Sequence, residues 1–243
     1  MKTNISKTIL VTLMLLFISN ICRAALVTPA GLNPGDTFHL IFVTSGTTDA
    51  YSSDISTYNA FVQSTADSEG IGSTIGLTNW LALASTPTVN AADNLATIFN
   101  NQSNVPIYNM GGQIVSNSLL DLWSTGSINS ILYEENGTPN YDDVWTGTTP
   151  DGMADPNTAL GSSTLLSMYA FPYNASQNIS AAPLAYTDQF VQNHLYGVSQ
   201  ELVVLQNGNV ALAPVPLPPA IWLFGAGLLG LVGMANRGKG GIC

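Results

Sequence analysis

Between Ala24 and Asn236 the chain has no lysine and no arginine. Its five cations lie at the two ends: Lys2, Lys7 and Arg23 at one, Arg237 and Lys239 at the other. All 15 Asp and Glu residues fall between Asp36 and Glu201. Both cysteines, Cys22 and Cys243, lie outside the acidic stretch. A fold built from that stretch can contain neither a disulfide nor a Lys or Arg ion pair. Its stability has to come from apolar burial, and 46% hydrophobic residues supply the material. Roughly 190 residues separate Ala25 from Ala213, enough for one sizeable domain with a real core. A charge near −15 over that body argues against nucleic acid, heparin-like anions or anionic lipid as partners. It suits a soluble, non-sticky protein or one that binds divalent cations.

Residues 1–24 have the layout of a secretory signal peptide. Lys2 and Lys7 form a basic start, and Ile9 to Ile18 is an apolar run too short to span a bilayer comfortably. Cys22-Arg23-Ala24 places small residues at −3 and −1, so cleavage by signal peptidase is expected after Ala24. Lipidation of Cys22 is not expected, because Ile21 stands where a lipobox needs a small residue.

Residues 214–243 carry a second address. A proline cluster at Pro216, Pro218 and Pro219 cannot continue a helix and marks the start of one. Leu217 to Ala235 is then 19 residues without a charge, at the short end of a membrane span. Trp222 stands near one boundary and the cations follow the other, which orients the tail toward the cytoplasm. The string Val215-Pro216-Leu217-Pro218, a glycine-rich apolar helix and a basic end together resemble the PEP-CTERM sorting signal of Gram-negative bacteria, in its VPLPA-like variant. The resemblance implies that an exosortase cuts near the proline motif and passes the protein to the cell surface or the exopolysaccharide matrix. Pro219 stands where the variant usually has Ala, and Asn236-Arg237-Gly238-Lys239 is less basic than usual. Left uncut, the same residues would make a single-pass anchor.

Within the body, Thr37 to Thr44 is β-branched and aromatic and reads as a strand. Ile55, Tyr58, Phe61, Val62 and Thr65 recur at helical spacing, predicting an amphipathic helix over 54–68 with Ser52 or Ser53 as its cap. Asn79 to Ala84 reads as a second strand, one helical turn is expected around Leu95 and Ile98, and Val105 to Asn109 is extended. Ser118 to Trp123 looks like a short helix, 128–156 is loop, and Leu165 to Phe171 and Leu195 to Leu205 are late strands. This order predicts an α+β domain. The run Val105-Pro106-Ile107-Tyr108-Asn109, then Asp121-Leu122-Trp123, Val144-Trp145-Thr146-Gly147-Thr148 and Asp151-Gly152 is similar to endostatin, and to a bacterial family of unknown function built on the same pattern. Over roughly residues 36–206 the resemblance implies a C-type-lectin-like fold for the domain 25–213, without endostatin's cysteines, arginines or histidine zinc site.

Chemistry has few handles here. His39 and His194 are the only histidines, both within or beside expected strands, and each reads as structural. No G-x-S-x-G elbow, cysteine nucleophile or P-loop is available in the body. Glu134-Glu135 and Asp142-Asp143 share one loop region and could raise a pKa for acid/base work if they cluster, although neighbours on an extended chain point opposite ways. Asp151, Asp155 and Asn157 form an oxygen-rich turn of the kind calcium uses, with an Asx turn as the plainer reading. Trp145 reads as a core anchor. The expectation is an exported, non-enzymatic protein of the surface or exopolysaccharide, with adhesion, matrix or ligand-binding work. A surface hydrolase using Glu135 or Asp143, and a permanently anchored membrane protein, are the alternatives.

Overall fold

Strand β1 (Thr37–Val43) is buried along its whole length beyond Thr37. Successive side chains of a strand point to opposite faces. Phe38, Leu40 and Phe42 accordingly enter one core cluster, while Ile41 and Val43 enter another on the far side. A strand covered on both faces reads as an unbroken apolar run, which is what Leu40 to Val43 shows. Strand β8 (His194–Ser199) repeats the arrangement: Leu195 joins the first cluster, and Tyr196 and Val198 join the second. The two strands pair antiparallel through Ile41 and Val198, Phe42 and Gly197, and Val43 and Tyr196.

A computed structural model describes residues 28–68, 71, 79–99, 104–179 and 185–213. These residues form a ten-stranded mixed sheet around β1 and β8. The remaining strands are β2 (Trp80–Ala82), β3 (Ile107–Asn109), β4 (Ile114–Ser116), β5 (Val144–Trp145), β6 (Leu166–Ala170), β7 (Tyr186–Asp188), β9 (Leu202–Val204) and β10 (Val210–Leu212). The main path runs β10-β9-β1-β8-β5-β6-β7. It branches where β3 joins β1 in parallel and β2 joins β8 antiparallel. Strands β8 and β9 both lie against β1, but Ile41 faces Val198 whereas Phe38 faces Leu202. Four steps on the later segment therefore match three on β1, a bulge of one residue. Ser199 fills it: its hydroxyl accepts the Leu40 N–H at 2.9 Å and its carbonyl meets His39 Nδ1 at 2.9 Å.

Three helices cover the sheet among the described residues. Helix α1 (Ile55–Ser68) buries Tyr58, Val62 and Ala66 in the first cluster with Trp80 and Trp145. Its cap is Asp54, whose carboxylate accepts both the Ser56 N–H at 2.9 Å and the Ser56 hydroxyl at 2.8 Å, in place of the expected Ser52 or Ser53. Gly197 permits the close approach of α1, since a Cβ there would lie 2.5 Å from Phe42 Cζ and 2.7 Å from Val62 Cγ1. On the opposite side, α2 (Ala91–Ala96) contributes Leu95 and α3 (Leu119–Ser124) contributes Leu122 to the second cluster, with Phe99, Ile131 and Ile179. Ser118 caps α3 by accepting the Asp121 N–H at 2.9 Å.

The structure corrects the expected fold class. In place of the C-type-lectin-like (endostatin-like) α+β domain with a membrane-spanning helix, the described residues build one branched, mixed sheet with three short helices. The physical reason is that β1 and β8 are apolar on both faces and need cover on both, which α1 gives on one side and α2, α3 and their loops on the other. No helix among the described residues is long and apolar enough to cross a membrane. The expected signal peptide with Ala24, the motif Val215-Pro216-Leu217-Pro218 and the helix 217–235 lie outside the described residues.

Candidate functional site

Three strand ends meet at one edge of the core. β1 runs antiparallel to β8, and β5 runs parallel to β8, so the end of β1 sits beside the beginnings of β5 and β8. The loops entering and leaving these strands gather there. Thr44 holds the junction: its N–H donates to the Leu195 carbonyl at 2.8 Å, and its hydroxyl accepts the Leu195 N–H at 2.9 Å. Its carbonyl meets His194 Nδ1 at 2.5 Å. A carbonyl can only accept, so Nδ1 carries the proton of this bond. Asn140 Nδ2 lies 3.4 Å from Nε2, and Asp142 Oδ2 lies 3.8 Å from it.

Around His194 opens a polar pocket of about 330 Å³, lined by Thr47, Tyr141, Asp142, Asp143, Gln192, Asn193 and His194. Asp142 is exposed and Asp143 half-buried. Burial, and then the charge of Asp142, push the Asp143 carboxyl above its usual range. Asn193 is held by its backbone, which exchanges hydrogen bonds with Thr48 at 2.9 and 3.1 Å. Its side-chain amide nitrogen is buried without a hydrogen-bond acceptor. Tyr141 is 65% exposed beside the pocket, with its ring 6.5 Å from that of Tyr173.

The four acids proposed from the sequence thus divide. Asp142 and Asp143 share the pocket. Glu135 turns inward to 1% exposure and accepts the N–H and hydroxyl of Ser45, pinning the loop after β1. Burial raises its pKa and the Ser45 hydrogen bonds oppose the rise. Glu134 accepts the side-chain amides of Asn136 and Asn140 at 3.2 and 2.9 Å, which orders the turn leading to Asp142.

Away from this end, His39 is buried and stacked on Phe99 with ring centroids 3.7 Å apart. Trp145 is fully buried and donates Nε1–H to the Thr48 carbonyl at 3.1 Å. At the calcium candidates, Asp155 Oδ1 accepts the backbone N–H groups of Asn157 and Thr158 at 2.8 and 3.0 Å, an Asx turn. Asp151 Oδ1 accepts the Thr149 hydroxyl at 2.5 Å. Asp155 and Asn157 line a second cavity of about 430 Å³ with Thr158, Thr164 and Tyr186, whereas Asp151 does not. Among the described residues no group of three or more His, Cys, Asp and Glu is placed to hold a metal ion.

Sequence reasoning found the Asp142-Asp143 pair but missed Thr47, Gln192 and Asn193, and read His194 as purely structural. The usable local signal was Asn140-Tyr141-Asp142-Asp143, an aromatic set directly beside two acids in a turn-rich loop. No family model and no curated protein matches the chain.

Proposed function

We propose that this protein is an exported, non-enzymatic binding protein of the cell surface or exopolysaccharide matrix. The observation that carries the binding role is the open pocket at His194, whose lining brings Asp142, Asp143, Gln192 and Asn193 together beside Tyr141. A small concave site with a few convergent polar groups is the usual form of a ligand site. The hydrogen bonds that hold Glu135 inside the protein support a structural role for that acid, and so favour binding over polysaccharide hydrolysis. Delivery rests on the two ends of the sequence, which carry a signal peptide layout and a PEP-CTERM-like motif.

A C-terminal label followed in hosts with and without exosortase tests delivery. The label is expected to leave the protein only where exosortase is present, with the body then found in the medium or matrix. Retention of the label in both hosts would overturn the sorting reading. Resistance of the body to a carbonate wash of membranes would then identify a permanent anchor.

A further inference from the structure

We propose that the pocket between Tyr141 and Asn193 binds an amine-bearing sugar unit of a glycan, with the ammonium against Asp142 and Asp143 and the sugar ring on Tyr141. The inference rests on the binding role above and names the ligand class for that site.

Four observations converge on it. Asp142 and Asp143 stand together at the pocket, and no Lys or Arg exists anywhere from Ala24 to Asn236 to neutralise them. The one basic side chain at hand is His194, 3.8 Å from Asp142. A ligand cation is therefore the complementary charge, while the acidic body repels uronate and phosphate polymers. Asn193, 8% exposed, lines the same pocket with a side-chain amide whose nitrogen has no acceptor in the free protein, and turning it outward onto a sugar hydroxyl or ring oxygen would supply one. Tyr141 offers a flat, exposed ring, extended by Tyr173. Sugar C–H faces pack on such rings, and a cation is drawn to the same π face. The volume of about 330 Å³ is at the low end for ligand sites and suits one monosaccharide unit. A bare divalent ion fits less well: calcium takes about six to eight oxygen ligands, and the described residues hold no metal-ligating group of three.

The test is calorimetric titration of the purified full chain with short β-linked glucosamine oligomers, their N-acetylated counterparts and uronate oligomers of equal length. The amine oligomers are expected to bind, the acetylated ones at least about tenfold more weakly, and the uronates not at all. D142N/D143N and, separately, Tyr141→Ala are expected to weaken binding by about tenfold or more while leaving the thermal melt in place. D121N/D151N makes the same charge change elsewhere and is expected to leave binding unchanged. Equal binding of amine and acetylated oligomers, an equal loss in D121N/D151N, or no binding of amine oligomers would each overturn the proposal. A matrix-bound protein with no amine preference would overturn this inference and leave the delivery reading standing. A label retained in both hosts, with amine preference intact, would do the reverse.

Discussion

His39 shows how one buried side chain can set acid stability. It is stacked on Phe99, bonded through Nδ1 to the Ser199 carbonyl, and pushed by burial to a pKa of about 4 from 6.5. Between those values the unfolded chain binds a proton that the native protein refuses. The stability linked to His39 is therefore fully present above pH 6.5 and is lost as pH falls toward 4. At 1.36 kcal/mol per unit the loss is about 3 kcal/mol. Denaturant titrations across this window should show that slope in the native sequence and a flatter profile in His39→Phe, which keeps a ring against Phe99. An equal slope in both would assign the acid sensitivity to other groups. Glu135 acts in the opposite sense: with its pKa raised by burial, its contribution is greatest at low pH and declines as pH rises through the raised value. At this scale the sequence was partly legible. Both histidines were correctly set in or beside strands, and Trp145 in the core. The pocket was not, because His194, Asp142 and Thr47 come from three chain segments that meet only through sheet pairing.

Among the elements, α1 and β8 depend on Gly197. Adding a methyl group there would press on Phe42 and Val62 at once, both fully buried. Gly197→Ala is expected to cost about 1–3 kcal/mol, seen as a lower midpoint in equilibrium unfolding. A paired change, Gly197→Ala with Val62→Ala, should recover part of it by returning space. No recovery would place the strain at Phe42 instead. Helix α1 was readable because its apolar residues recur over 14 residues. Helix α3 was readable from Ser118 and the run after it. Strand β5 was not, since two residues, Val144–Trp145, cannot display a period of two. The same shortness hid β4, β7 and β10, each three residues long, and with them the branched sheet that replaces the expected C-type-lectin-like fold.

For the whole molecule, the missing lysines and arginines leave the acids of the body to repel one another. Raising sodium chloride from about 10 to about 150 mM shortens the screening length from about 30 to about 8 Å. The midpoint of thermal unfolding should rise by about 2–5 °C, with chelator present so that divalent ions play no part. A flat response would mean that the acids are too far apart for their repulsion to matter.

The pairing of the first strand, β1, with the late strand β8 has a consequence in time. His39 and Ser199 are hydrogen-bonded across 160 positions of sequence. A ribosome adding about 5–20 residues per second needs roughly 8–32 s to cover that interval. Throughout it, β1 has been made and its principal partner has not. The most apolar strand of the body must wait for a neighbour that emerges near the end of synthesis. The pairing that joins β1 to the centre of the sheet can form only when β8 arrives, so the chain stays threadable for most of its assembly, and the safety of that waiting strand falls to whatever accompanies it.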